Sequence, residues 1–265
     1  MKRVIPITLL SILLGMAFKS QAQQNLTAKQ IQEKSLESTR VAGTESIATM
    51  TIINEKGQKR VRQMATLTKL YDQGDTEKKL IRFMSPSEVK GTGFLTYDYN
   101  TKDDDKWIYM PALRKTRRII SSENAKSFMG SEFSYADMTL PNLEDYNYKL
   151  LGETTVMNEP CYELEIVPVN SDIEDENGFS KKISYISKKN FVKRKSIYFD
   201  LYGEKEKVML VKSIVEVDKD NHKFRIKHIE IENIQNGRKS ISTIDQIQFN
   251  PAIPDDYFTS RYLEN

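Results

Sequence analysis

The chain has 265 residues, with 40 Lys and Arg against 37 Asp and Glu, and it contains two His, one Cys and one Trp. A nearly balanced charge gives no global electrostatic reason to bind nucleic acid. One Cys excludes an intramolecular disulfide, and no metal-ligand spacing links the two His.

The N-terminus has the pattern of a secretory signal peptide over residues 1–22. Lys2 and Arg3 give a positive start, an apolar run follows, and small residues stand at −3 and −1 of a cleavage site after Ala22. A transmembrane anchor is the alternative, but the run is shorter than the roughly 20 apolar residues that span a bilayer. Cleavage leaves 37 basic and 37 acidic residues. We expect residues 23–265 to be a single domain, soluble in the periplasm.

One helix is predicted at the start of the mature chain. Thr27 and Gln30 form a capping box, and Gly43 is expected to stop the helix. One face of this helix carries small or weakly apolar side chains: Ala28, Ile31, Ser35 and Thr39. A face this weakly apolar is typical of a helix that lies on the rim of a barrel or plugs it.

After Gly43 the pattern is β almost without interruption. The predicted strands are Ser46–Asn54, Arg60–Tyr71, Lys79–Met84, Gly93–Tyr99, Lys106–Met110, Leu113–Ile120, Tyr146–Leu151, Tyr162–Val169, Lys181–Ser187, Val192–Asp200, Lys205–Val217, Lys223–Glu232 and Lys239–Phe249. Many strands joined by short polar turns favour an antiparallel barrel or sandwich. A change of phase in the twelfth strand predicts a bulge near His228.

The C-terminal tail is expected to close the fold. Pro254 stands where a short helix or turn can begin. The aromatic side chains of Tyr257, Phe258 and Tyr262 are expected to pack back on the sheet.

The fifth predicted strand is apolar on both faces. Trp107 and Tyr109 lie on one side, and Ile108 and Met110 lie on the other. Such a strand is either buried on both faces or lines an apolar cavity with one of them. The connection Ser121–Asp145 follows, and long connections without regular structure are often lids or binding loops.

Two groups of side chains in this region are candidates for ligand binding. The first group is expected to line the cavity or its cover and comprises Trp107, Tyr109, Phe128, Met129, Phe133 and Tyr135. The alternative for this group is ordinary core packing. The second group, Arg114, Arg117 and Arg118, is expected to hold the polar head of an amphiphile. Its alternative is a solvated strand face.

Nothing in the sequence reaches the level of a catalytic hypothesis. It holds no nucleophile-elbow, phosphate-loop or zinc-protease motif. Cys161 has no neighbouring His to activate it. We therefore expect a non-enzymatic protein without catalytic residues, metal ligands or a cofactor.

Four sequence blocks between residues 107 and 168 carry a resemblance: WIYMPALRKTRR, SFMGSEFSYADM, LEDYNYKLLG and PCYELEIVP. In order and spacing they resemble the bacterial outer-membrane lipoprotein-sorting protein family, relatives of the periplasmic carriers LolA and LolB. The resemblance implies a mainly β fold, a half-open antiparallel β-barrel with an N-terminal helix and a helical or loop lid over an apolar cavity.

The resemblance also implies a function. It is that of a periplasmic carrier that binds lipid or lipidated protein in the barrel and moves it toward the outer membrane. An inner-membrane exporter is the candidate protein partner. The first alternative is a periplasmic lipid-sensing regulatory module that binds an inner-membrane partner. The second is a hydrolase, for which the sequence offers no nucleophile or metal site.

Overall fold

The computed structural model describes residues 26–264, so the predicted signal peptide, residues 1–22, lies outside the described residues. The helices are α1 (Ala28–Thr39), α2 (Ser171–Asn177) and α3 (Ser260–Leu263). The strands are β1 (Gly43–Ile53), β2 (Lys59–Tyr71), β3 (Thr76–Ser85), β4 (Gly93–Tyr99), β5 (Asp105–Met110), β6 (Lys115–Ile119), β7 (Tyr146–Val156), β8 (Glu159–Pro168), β9 (Lys181–Ser187), β10 (Lys193–Phe199), β11 (Lys205–Asp218), β12 (Lys223–Asn233) and β13 (Arg238–Phe249).

All thirteen strands belong to one antiparallel sheet. Their order is β6-β5-β4-β3-β2-β1-β13-β12-β11-β10-β9-β8-β7, so the first and last strands of the chain pair in the middle. The edge strands β6 and β7 pair with one neighbour each, which leaves the sheet unclosed. Apart from β6 and β7, strands that follow each other in the chain are neighbours in the sheet. The predicted mainly β, half-open antiparallel fold is therefore confirmed.

The sheet curls around a core on one face, here called the inner face. A single apolar cluster joins Ile108 and Ile119, near one edge of the sheet, to Tyr146 and Leu164, near the other. Such contacts require the two ends of the sheet to approach each other. The predicted bulge contributes to the bending, since the β11–β12 register shifts beside His228.

Helix α1 packs against the inner face. The capping box of Thr27 and Gln30 is present as predicted. The buried face comprises Ala28, Ile31, Gln32, Ser35 and Ser38, and α1 contacts β7, β9 and β12. The predicted role of Gly43 is wrong. The helix ends at Thr39, Arg40 is already extended, and Gly43 begins β1.

A long segment, residues 120–145, connects the two edge strands across the inner face and is here called the crossing segment. It contains short 3-10 turns and one isolated β-bridge between Ser127 and Ser134. Phe128 is fully buried, with its ring 5.1 Å from that of Phe94 and 6.0 Å from that of Phe83. The crossing segment is therefore part of the core as well as a cover over it.

Two local predictions differ from the structure. The turn between β7 and β8 is Met157-Asn158, with φ of 50° and 64°, so the two strands come closer along the chain than the predicted Tyr146–Leu151 and Tyr162–Val169. Two left-handed residues match the twist of a tight hairpin, which lets β8 begin at Glu159. Helix α2 was not predicted, although Asn170 caps its start and Gly178, with φ of 70°, caps its end.

The C-terminal tail packs on the opposite face, here called the outer face. Phe258 and Leu263 are buried against Leu80 and Leu95 of β3 and β4. A Cβ atom on Gly93 would stand 2.5 Å from Cδ1 of Leu263, so the glycine permits this close approach. The predicted packing of the tail on the sheet is confirmed.

Candidate functional site

A cleft of about 280 Å³ opens on the inner face, between α1 and the crossing segment. It is much larger than the about 10–15 Å³ that one buried water occupies. Strands from both ends of the sheet contribute to it, including Ile119 of β6 and Ile166 of β8. The cleft therefore exists because the sheet curls without closing.

Direct contacts hold the crossing segment over the inner face. The Nζ of Lys79 donates to the carbonyl oxygen of Met138 at 2.6 Å. The backbone N–H of Leu140 donates to Oδ2 of Asp98 at 2.7 Å. In the middle of the segment, Arg238 forms an ion pair of 3.0 Å with Glu132. These contacts tie the segment to β3, β4 and β13.

The walls of the cleft combine apolar and charged groups. The apolar part includes Leu36, Phe133, Phe179, Met209, Ile226 and Ile229. Lys182 of β9 and Lys193 of β10 line the same space. Rings of Tyr146, Phe179 and Tyr198 surround the Lys182 ammonium at 5.8, 4.9 and 5.4 Å from their centroids. The cleft thus has the mixed lining expected of an amphiphile site.

Burial changes the acid–base properties of these groups. It lowers the pKa of Lys182 to about 7, and the charge of the neighbouring Lys193 adds to this effect. Burial also lowers the pKa of Lys193, against the attraction of Asp137. Burial and the Asp137 carboxylate hold the pKa of Tyr198 well above its usual value. Removal from water disfavours the ammonium form, so both lysines are held in a costly environment.

A second charged cluster lies next to the cleft, where α1 ends. Arg225 donates to Glu77 at 3.3 Å, and Arg40 stands 3.8 Å from Asp98. Burial alone would raise the pKa of Glu77, but Arg225 and Lys79 outweigh burial and lower it. Burial raises the pKa of Asp98 to about 7, with Asp104 and Glu77 adding to the shift. The opposite charges of this cluster thus face each other, although Nε and Nη2 of Arg40 and Nε of Arg225 are buried without a hydrogen-bond partner in the described part of the chain.

The structure places the six side chains predicted to line the cavity at three locations. Trp107 and Tyr109 lie on the outer face, packed with the C-terminal tail. Phe128 and Tyr135 are buried in the inner core, and Met129 packs against that core. Only Phe133, among these six, lines the cleft. Strand β5 therefore packs on both faces, with Ile108 buried on the inner face and Trp107 and Tyr109 partly buried on the outer face. Trp107 and Tyr109 lie away from the cleft because their face meets the tail.

The three predicted arginines lie along the edge strand β6 and the turn before it. Arg114 is exposed and has a φ of 48° at the end of that turn. Arg117 forms an ion pair of 2.7 Å with Glu123, and Arg118 pairs with Asp105. None of the three lines the cleft. Their proposed role as a head-group site stays a prediction, separate from the cleft.

Sequence reasoning missed Lys182 and Lys193. In β9 the side chains of Lys182, Ser184 and Ile186 share the inner face, so a lysine continues a row that includes a fully buried isoleucine. That pattern is a signal for an inward-facing lysine. It was obscured because Ile183 and Tyr185 make the other face equally apolar.

Two further properties concern the described part of the chain. Among residues 26–264, no group of three or more His, Cys, Asp and Glu side chains is arranged to hold a metal ion. The same residues include no helix long and apolar enough to cross a membrane. Cys161 is buried, and burial raises the pKa of its thiol.

Solved structures with the same arrangement are known. A DUF1329 family protein from Desulfovibrio piger is 25% identical with a TM-score of 0.81, over 89% of this chain and 97% of its own. A putative outer membrane lipoprotein-sorting protein domain from Vibrio parahaemolyticus is 23% identical with a TM-score of 0.81, over 90% and 98%. A LolA superfamily protein from Nitrosomonas europaea is 18% identical with a TM-score of 0.67, over 90% and 100%.

An unclosed antiparallel sheet that curls around a helix and a cleft is thus a LolA-like fold, as the sequence blocks predicted. Residues 75–265 match a family described as "Uncharacterized protein", and the chain belongs to that family. The comparison with curated proteins finds no match.

Proposed function

We propose that this protein is a non-enzymatic periplasmic carrier that binds the acyl chain of a lipid or lipidated protein in the inner-face cleft and moves its cargo toward the outer membrane. The observation that carries the proposal is the cleft itself. It lies between α1 and the crossing segment, on the inner face of a sheet that remains open. The similar structures, a putative outer membrane lipoprotein-sorting protein domain and a LolA superfamily protein, support the same class of cargo by their names.

The volume of the cleft limits the size of the ligand that it can bind. Small-molecule sites commonly occupy about 300–1,000 Å³, and this cleft, at about 280 Å³, is at the lower end. The proposed ligand therefore inserts an acyl chain, and any attached protein stays outside. Phe133 and Met209 are side chains that an inserted chain would contact. Methionine adapts its shape readily, which suits acyl chains of different length.

Location and processing are part of the proposal. Residues 1–22 act as a cleaved signal peptide, and residues 23–265 form the mature single domain, with an inner-membrane exporter as the source of cargo. Expression in a bacterium with two membranes should release a periplasmic protein whose N-terminus is Gln23. Peptide mass spectrometry of the protein purified from the periplasmic fraction measures this directly. An uncleaved chain in the inner membrane would contradict the proposal.

Native mass spectrometry of the periplasm-purified protein tests the cargo. A carrier retains a ligand whose added mass disappears after organic extraction and matches a lipid in the extract. A protein that carries no added mass under these conditions, and binds no acyl amphiphile added afterwards, is not a carrier of this kind.

A further inference from the structure

Two lysine side chains, Lys182 and Lys193, line the cleft without a direct ion pair to any described residue. Within residues 26–264, the side chains of Lys182 and Lys193 form neither an ion pair nor a hydrogen bond. Asp137 lies near enough to attract both, but its Oδ2 already accepts from the backbone N–H and the hydroxyl of Ser134, at 2.8 and 3.0 Å. Buried charges in proteins are normally paired. Asp137 attracts both lysines through space, but no carboxylate of the described residues stands within ion-pair distance of either ammonium group, which leaves room for an anion in direct contact with them.

The aromatic rings around Lys182 do not remove this requirement. They stabilise its ammonium group through their π faces, but Lys193 has no such contact in the described part of the chain. The two lysines are close enough for the charge of Lys193 to act unfavourably on Lys182. An anion between them would reverse that repulsion and restore what both groups lose on leaving water.

We propose that Lys182 and Lys193 bind the phosphate or carboxylate group of an anionic amphiphile whose acyl chain lies along the apolar wall of the cleft. This inference rests on the proposed carrier function and specifies its ligand class. Both lysines and the apolar side chains of Phe179 and Met209 line one continuous space. A single molecule with an acidic head and an apolar chain satisfies both parts of that lining.

Calorimetric titration with three probes tests the inference. The probes are palmitoyl lysophosphatidate, the neutral monopalmitoylglycerol and inorganic phosphate, with each lipid below its micelle-forming concentration. The test variant is Lys182→Met with Lys193→Met, which keeps the aliphatic stems and removes both charges. The matched control is Lys181→Met with Lys195→Met. These lysines belong to the same strands, but Lys181 faces Glu165 at 3.9 Å and Lys195 lies 5.4 Å from the ring of Tyr185, outside the cleft.

The expected result is a selective loss. The test variant should bind lysophosphatidate at least tenfold more weakly, because charge-assisted hydrogen bonds in a shielded site are strong. Its affinity for monopalmitoylglycerol should stay within twofold of the parent, which also shows that the variant folds. The control variant should bind all three probes like the parent. Inorganic phosphate alone should bind far more weakly than lysophosphatidate.

Other results overturn the inference in distinguishable ways. Equal affinity of the parent for the acidic and neutral lipids would overturn the anion site and leave the carrier proposal standing. Phosphate that binds as tightly as lysophosphatidate would show a free-anion site instead. An equal loss in the control variant would show a general charge effect. A parent that binds neither lipid would end the proposed function together with this inference.

Discussion

The backbone N–H of Leu140 donates to Oδ2 of Asp98 at 2.7 Å, which ties the crossing segment to strand β4. The carboxylate that accepts this bond is buried beside Glu77, and its pKa is raised to about 7. The same group therefore anchors the cover of the cleft and carries a charge that its surroundings disfavour.

Replacing Asp98 by Asn should change how stability depends on pH. The unfolded pKa of Asp is about 3.9, so between about pH 4 and pH 7 the folded state binds more protons and the parent loses stability as pH rises. The asparagine side chain does not titrate, and its carbonyl oxygen can still accept from Leu140. The unfolding free energy of the variant minus that of the parent should therefore rise by about 2–4 kcal/mol from pH 4.5 to pH 8.

Urea unfolding at both pH values measures this difference. Asp220→Asn, a change at an exposed turn, is the control and should alter stability equally at the two values. A constant difference between Asp98→Asn and the parent would show that Asp98 has no raised pKa in the folded protein.

Lys182→Met should stabilise the protein, most of all at low pH. The folded pKa of about 7 lies below the usual value of 10.5, so the folded state binds fewer protons between these values and stability rises with pH across them. Below pH 7 the buried ammonium imposes its full cost. The gain from Lys182→Met should be about 1–3 kcal/mol at pH 6 and should shrink toward pH 10.

The other charged groups around Lys182 affect the size of this expected gain in stability. The charged and titratable side chains that line the cleft with Lys182 are Lys102, Asp103, Asp104, Lys106, Asp137, Asp145, Tyr146, Glu176, Lys193 and Tyr198. Lys181→Met, one residue away on the outer face, provides the comparison by urea unfolding at pH 6 and pH 10. A gain that is independent of pH would mean that improved packing, rather than the removed charge, explains the effect.

Phe128→Ala should be strongly destabilising. The ring is fully buried and contacts the rings of Phe83, Phe94 and Tyr135. Truncation of a buried Phe typically costs about 3–5 kcal/mol. Met129→Ala, at the partly buried neighbouring position, should cost less. Chemical denaturation of both variants tests this order, and near-parent stability of Phe128→Ala would show that the crossing segment is not part of the core.

The arginine hypothesis has its own test. Changing Arg114, Arg117 and Arg118 together to Gln should leave lysophosphatidate affinity within twofold of the parent, because none of the three lines the cleft. Stability should fall by no more than about 1 kcal/mol per lost surface ion pair. Calorimetry and urea unfolding give the two values. A tenfold loss of affinity would place the acidic head at β6 and not at the lysines.

The sequence was sufficient for the sheet because period-two alternation and short polar turns define strands locally. All thirteen predicted strands overlap those of the structure, and Gly93–Tyr99 and Lys181–Ser187 have the predicted bounds. The capping box of α1 was equally local. The prediction that Gly43 stops the helix was wrong because glycine can follow a helix and can also begin a strand. Only the pairing of Gly43 with Lys69 in β2 shows that it begins a strand here.

The site was less predictable because it depends on which face of each strand turns inward. For β5, both faces are apolar, so alternation cannot show that Ile108 faces the inner core and Trp107 the tail. The tail that covers Trp107 follows it by some 150 residues. Lys182 and Lys193 line the same cleft only because β9 pairs with β10. Contacts of this kind depend on the order of the strands in the sheet, and the alternation of side chains along one strand does not show them.

The position of Trp107 decides what its fluorescence can report. The indole lies 5.1 Å from the ring of Tyr97 on the outer face, within the cluster that Phe258 and Leu263 complete. It is the only Trp in the sequence. Its emission is therefore an optical signal for detachment of the C-terminal tail. Ligand entry on the other side of the sheet leaves this signal unchanged unless it loosens the tail.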